Sequence, residues 1–254
     1  MKNRSEIEVK EFFERLGFSV TPIAEVRDQR RADLRISDSS DSYVVEVKTR
    51  EGSSFEGDLS KHGVAESLVA HAYTNSVSGV VGDAVEQLDA TRERREDYRL
   101  LWYHGLEEDE CEQVRKTLYG IVTVIRSGAT GAESLDCLYL TFSEFFRYPQ
   151  LVGAVLGQQH SGVLFPNVLS PACAEFRSSG LFSIFKEHDA VWDPAELEIR
   201  GDVYVADCSG TRNNRQSILS YVEEKYGMKP LIDVEPKHAR VAVLVPRKKA
   251  VEQP

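Results

Sequence analysis

Between Ala32 and Thr49 the chain reads ADLRISDSSDSYVVEVKT, and this stretch constrains the fold more than any other. Two short runs, residues 32–36 and 43–49, carry the β-branched and aromatic side chains that suit strands. Residues 37–42 between them are Ser-Asp-Ser-Ser-Asp-Ser, a turn composition. The expected structure is an antiparallel hairpin. Side chains alternate along a strand, so Glu46 and Lys48 share a face and Val47 takes the other. A turn centred on Ser39 and Ser40 places Asp33 and Glu46 at equal distances from it. The two carboxylates therefore face each other across the hairpin, a few ångströms apart.

Two like charges at that distance repel unless a counter-charge separates them. A divalent cation does this, and an all-oxygen site with retained waters suits Mg²⁺, with Mn²⁺ expected to substitute. Such an ion acidifies water and stabilises the charge that builds on a phosphate during hydrolysis. Lys48 adds a fixed positive charge beside the same point. The set Asp33, Glu46 and Lys48, with the Val47 carbonyl as a further metal ligand, thus fits metal-assisted cleavage of a phosphodiester. The tripeptide alone carries little weight. It recurs at Glu8-Val9-Lys10, Glu223-Glu224-Lys225 and Glu235-Pro236-Lys237. The first two copies sit in expected helices, and the third has a proline that a central strand excludes.

The surrounding pattern supplies the frame. Residues 5–16 read as an amphipathic helix, with Val9, Phe12, Phe13 and Leu16 on one face, Ser5 and Glu8 as a capping box and Gly17 as its end. Residues 18–26 read as an irregular edge strand containing Pro22. Residues 51–59 read as a polar loop, and helices are expected over 64–73 and 80–99. The run LYGIVTVI, residues 118–125, reads as a buried strand. In the second half a strand is expected over 137–141, a helix over 142–156 with a break at Pro149, and a strand over 203–207. A helix over 214–226 closed by Gly227 and a strand over 239–245 follow.

The segment RADLRISDSSDSYVVEVKT resembles the signature of the PD-(D/E)xK nuclease superfamily, the restriction-endonuclease-like fold. The order of helix, three-stranded mixed sheet, helix and strand resembles its common core. SEIEVKEFFERLGF is similar to the first helix of the Holliday-junction-resolvase branch. In that branch a Glu about three turns ahead of a Gly-Phe pair helps to hold metal. The resemblance thus implies Glu6 as a metal ligand, with Glu8 and Glu11 as alternatives, and Gln87 as the glutamine many members place near the site. Ala32 stands where the family name has Pro, and the interval from Lys48 to Gln87 is long. The resemblance covers roughly residues 5–126.

The expected architecture is α/β: a nuclease core over residues 1–130 and an α/β extension over 131–254, which packs either separately or with the core. The expected activity is Mg²⁺-dependent endonucleolytic hydrolysis of DNA, with restriction, repair and phage defence all open. The alternative is a catalytically silent nuclease-fold protein that binds nucleic acid or a partner. A homodimer and a partner protein on the C-terminal half both stay open. The net charge of −10 argues against a protein that grips long duplex by charge alone. Basic clusters do occur, at Arg27, Arg30, Arg31 and Arg35 and at Arg92, Arg94, Arg95 and Arg99. The four cysteines form no CxxC pair, and no run is apolar enough for a membrane span or a signal peptide. A reduced, cytoplasmic protein is expected. His62 and His71 are weaker candidates for approaching DNA. Cys208-Ser-Gly-Thr211, between a strand and a helix, is a weak candidate for holding phosphate.

Overall fold

A computed structural model describes residues 4–24, 26, 30–49, 64–69, 75–91, 97–105, 108–128, 131–158, 161–208, 214–228, 231–233 and 239–244. The chain is a mixed α/β protein. Helix α1, Arg4–Arg15, buries Val9, Phe12 and Phe13 at helical spacing, and Gly17 ends it at φ +91°. The chain reverses there, and the Phe18 amide donates to the Phe13 carbonyl at 3.1 Å.

Three antiparallel strands follow: β1 Ser19–Pro22, β2 Leu34–Ser37 and β3 Ser42–Thr49. The turn between β2 and β3 forms because the Asp38 carboxylate accepts from the amides of Ser40 and Asp41, at 2.8 and 2.7 Å. That fixes Ser37 opposite Ser42 and Leu34 opposite Val45, the register expected from the sequence. Pro22 lies on β1, which is an edge strand as expected.

The next described elements are β4 Val64–Val69, helix α2 Asn75–Thr91 and β5 Tyr98–His104. Strand β5 runs parallel to β3, with Glu46 level with Leu101 and Lys48 level with Tyr103. After helix α3, Glu108–Tyr119, come β6 Val122–Gly128, β7 Gly131–Leu138 and the single turn α4, Glu144–Arg147. Strands β8 Gly153–Gln158 and β9 Ser161–Pro166 then extend the first sheet. Its order is β1-β2-β3-β5-β8-β9. The remainder comprises α5 Cys173–Phe176, α6 Gly180–Glu187, α7 Pro194–Arg200, β10 Val203–Val205, α8 Arg215–Tyr226, β11 Leu231–Asp233 and β12 Ala239–Leu244. A second sheet has the order β10-β7-β6-β11, and β12 pairs with β4.

Both faces of the six-stranded sheet are covered. On one, Phe12 and Phe13 of α1 pack edge-on against Trp102, with centroids 4.9 and 5.1 Å away, beside Val45, Val47 and Phe185. On the other, Val81, Val85 and Leu88 of α2 meet Val44, Leu101 and Tyr103. A third cluster joins the second sheet to α8 through Tyr204, Ile218 and Val222. Asn214 caps α8 and Gly227 ends it in the left-handed region, as expected.

Several expectations are corrected. Residues 64–69 are strand, not helix; their partner is β12, far away in sequence, which local periodicity does not register. The helix expected over 80–99 is α2, which starts earlier and ends at Thr91, and Arg99 belongs to β5. Strand β5 is enclosed on both faces, so it reads as an unbroken apolar run without alternation. The strand expected from residue 118 begins only at Val122, because α3 runs on to Tyr119. Gly120 turns the chain at φ +60°, where a side chain would strike the carbonyls of Thr141 and Phe142. The strand expected over 137–141 is β7, which starts at Gly131 and ends at Leu138. Helix over 142–156 shrinks to the single turn α4, and residues 153–158 form β8. Strands β8 and β9, beyond residue 130, join the sheet begun by β1. The loop expected over 51–59, His62, His71, Arg27, Arg92, Arg94, Arg95 and Ser209–Thr211 lie outside the described residues. Among the described residues no helix is long and apolar enough to cross a membrane.

Two glycines test the packing. A methyl group on Gly157 would drive into the fully buried Trp102 ring, whereas one on Gly79, inside α2, meets nothing within 4 Å. Gly157→Ala is expected to lower unfolding free energy by about 1–3 kcal/mol. Gly79→Ala should raise it by about 0.5–1 kcal/mol. Urea unfolding measures both, and an unchanged Gly157→Ala midpoint contradicts the packing around Trp102.

Candidate active site at the β2–β3 hairpin

The regular pairing of the hairpin ends at Leu34 opposite Val45. The Asp33 amide, one residue out of step with that ladder, also donates to the Val45 carbonyl, at 3.2 Å, and the Asp33 carboxyl lies close enough to Glu46 to act on its charge. The Asp33 carboxylate is held in turn: its Oδ2 accepts from the Val47 amide at 2.8 Å. Residues 31–33 are also tied to the end of α2. The Ala32 amide donates to Thr91 Oγ1 at 2.7 Å, and Gln87 Nε2 donates to the Arg31 carbonyl at 3.4 Å.

Glu46 and Lys48 project from the same face of β3, towards α2, as the alternation requires. Lys48 Nζ donates to Glu46 Oε1 at 2.7 Å and to Gln87 Oε1 at 2.6 Å. Gln87 thus reaches the site despite its long separation from the hairpin in sequence. The Glu46 side chain is only 2% exposed. Among the described residues no donor reaches its Oε2, which is buried.

Burial pushes the Glu46 carboxyl up to about 8, and the charge of Asp33 beside it adds to the shift. The Lys48 ammonium pulls the other way without cancelling them. At neutral pH the Glu46 carboxyl therefore keeps its proton beside Asp33. That is the electrostatic condition a divalent cation relieves, because such an ion replaces the proton and lets both groups ionise. The donor set, two carboxylates with an unfilled buried oxygen, fits Mg²⁺ or Mn²⁺ better than a softer metal.

Glu6, Asp33 and Gln87 line one cleft of ≈ 680 Å³, together with Arg30 and Arg31. Among the described residues, however, no three His, Cys, Asp or Glu side chains gather closely enough to hold an ion. The structure thus brings Asp33, Glu46, Lys48 and Gln87 together and leaves Glu6 on the wall of the same cleft. Glu8, the alternative on α1, is engaged elsewhere: its carboxylate meets Arg4 and, at 2.8 Å, His104 Nε2. Those contacts hold Glu8 below the ordinary carboxylate range, Arg4 being the largest cause.

Sequence reasoning missed two features. His104 escapes because β5 itself was read in part as helix. Arg30 and Arg31 were visible only as part of a basic stretch, although their position just ahead of Asp33 points to the cleft. Arg35 of that stretch is spent on Asp97 at 2.7 Å. No disulfide joins Cys111, Cys137, Cys173 or Cys208. Comparison with protein-family models, with curated proteins and with solved structures finds no match to this chain.

The raised Glu46 value makes stability depend on pH. Between about 4.5 and about 8 the folded protein keeps a proton that the unfolded chain releases. Metal-free protein should therefore lose stability as pH rises through that window, by up to roughly 1.4 kcal/mol per pH unit. Glu46→Gln should flatten the slope. Thermal unfolding in EDTA across pH 5 to 9 measures this, and a parent slope equal to that of Glu46→Gln contradicts it.

Proposed function

We propose that this chain is a Mg²⁺-dependent DNA endonuclease of the PD-(D/E)xK type. One observation carries the reading: Asp33, held by the Val47 amide, lies beside a buried Glu46 whose Oε2 meets no donor among the described residues, with Lys48 on the same face. The succession α1, β1–β3, α2, β5, interrupted by β4 between β3 and α2, with β5 parallel to β3, supports a restriction-endonuclease-like core. Strands β8 and β9 then enlarge that core rather than form a separate unit.

Asp33 and Glu46 would hold the cation, with the Val47 carbonyl as a further ligand, while Glu6 lines the wall of the adjoining cleft. When bound, Mg²⁺ supplies Lewis acidity for the attacking water and the scissile phosphate. The chain's own groups do the rest. The Val47 amide fixes the Asp33 carboxylate, so its orientation does not depend on the ion. Lys48 stands ready to stabilise negative charge developing on the phosphate. Gln87 holds the ammonium in place by accepting from it, and is a positioning residue. Arg30 and Arg31 supply positive charge to the substrate backbone from the cleft lining.

A second reading keeps the fold but not the reaction: a protein that binds DNA or a partner without cutting. It is favoured by the absence, among the described residues, of a three-member acidic group. Two carboxylates, a carbonyl and waters still complete a Mg²⁺ shell, because this ion keeps several waters.

Cleavage assays with purified protein, Mg²⁺ or Mn²⁺ and a panel of DNA forms decide between the readings. Asp33→Asn and Glu46→Gln should abolish cleavage. Lys48→Ala should reduce the rate by roughly 10²–10³ with the metal requirement intact. Gln87→Ala should cost less than Lys48→Ala. Cleavage at the parent rate by Asp33→Asn, or none by the parent on any form, refutes the nuclease reading.

A further inference from the structure

The same cleft has a lining that catalysis does not account for. Beside Asp33 and Gln87, part of its wall is apolar: Pro22, Ile23 and Val26. Val26 is 44% exposed. Another part is basic, from Arg30 and Arg31. Both are fastened to the reacting residues. The Ile23 amide donates to the Asp33 carbonyl at 2.8 Å, and the Arg31 carbonyl accepts from Gln87. The main chain of Ile23 and of Arg31 is therefore held beside Asp33 and Gln87.

The cleft measures ≈ 680 Å³, within the ~300–1,000 Å³ of sites that enclose a single small ligand. It takes roughly one or two nucleotides, not the width of a duplex. The chain carries a net charge of −10, so broad contact with many duplex phosphates is repelled. In a duplex the base faces are stacked on one another, and reaching them costs a few kcal/mol of unstacking per step. An unpaired strand presents its base faces to a side chain without that cost.

We propose that the cleft between β1 and the start of β2 receives an unpaired DNA strand, with bases against Pro22, Ile23 and Val26 and phosphates on Arg30 and Arg31. This rests on the nuclease reading for the position of the cut and deepens it by naming the substrate class: single strands, or duplexes bearing a single-stranded tail or flap.

The test measures binding and cutting separately. Fluorescence anisotropy in EDTA and in Ca²⁺ follows a labelled single strand, a blunt duplex and the same duplex with a single-stranded tail. Cleavage of the same three is followed in Mg²⁺ and Mn²⁺. The single strand and the tailed duplex should bind at least about tenfold tighter than the blunt duplex. The salt dependence should be shallow, a log–log slope no steeper than about −2, which corresponds to roughly three phosphates. Arg30→Ala and Val26→Asp, both at exposed positions, should each weaken single-strand binding about tenfold with the unfolding midpoint unchanged. Cutting should fall in or next to the unpaired segment. A blunt duplex bound and cut as well as the tailed one overturns the proposal, and so does single-strand binding indifferent to both variants. If no form is cut while single-strand binding still depends on Arg30 and Val26, the nuclease reading fails and the assignment of the cleft stands.

Discussion

The arrangement depends on one electrostatic conflict: two carboxylates, Asp33 and Glu46, held side by side with one of them almost fully buried. Nothing in folding favours that pairing for its own sake. Like charges opposed across a hairpin destabilise it, and a buried carboxyl without its full set of donors costs free energy. Lys48 and a retained proton offset part of the cost. The pairing persists because the surrounding structure over-determines it: the Asp38 turn sets the register, the Val47 amide grips Asp33, and α2 ties down residues 31–33 through Thr91 and Gln87. Strain imposed from outside on a polar pair is where function is to be sought.

The six-stranded sheet makes that imposition possible. Strand β3 lies between β2 and β5 and is covered by α1 on one face and α2 on the other. Trp102 on β5 anchors the α1 side, clasped by Phe12 and Phe13 and backed by Gly157 and Gly162. Such a strand cannot slip by one residue without turning Val45 and Val47 away from one core and Glu46 into it. The register of β3, which turns Glu46 to the side of the sheet that faces α2, is therefore secured by aromatic packing on the far side of the sheet from the carboxylates. Strands β8 and β9 extend the same sheet, so residues beyond 130 stabilise the hairpin instead of forming a detached module.

What the sequence made legible is what local physics decides. The amphipathic helix α1 with its Gly17 end, the Ser/Asp turn, the edge position of Pro22, the alternation of Glu46 and Lys48, and the Asn214–Gly227 limits of α8 all follow from nearest-neighbour rules. Strands whose partners are remote were not legible. Strand β4 pairs with β12, β5 is apolar on both faces, and β8 follows the one-turn α4 closely enough for the sequence to suggest one continuous helix. The candidate site divides along the same line. Asp33, Glu46 and Lys48 come from one hairpin and could be placed from spacing. Gln87 needed the family resemblance, and the alliance of Glu8 with His104 needed β5. The neighbourhood of Pro22, Ile23, Arg30 and Arg31 around Asp33 needed the folded chain, because it depends on how β1 returns beside β2.

The most direct measurement is calorimetric titration of the metal-free protein with Mn²⁺ or Mg²⁺ at pH 7, repeated in buffers of different ionisation enthalpy. If the cation replaces the proton that Glu46 keeps beside Asp33, binding should release about one proton per ion. The release should vanish above the Glu46 value of about 8. Binding should be lost in Glu46→Gln. Binding without proton release, or no binding to a protein whose folding is intact, would contradict the central claim that this carboxylate pair is a cation site.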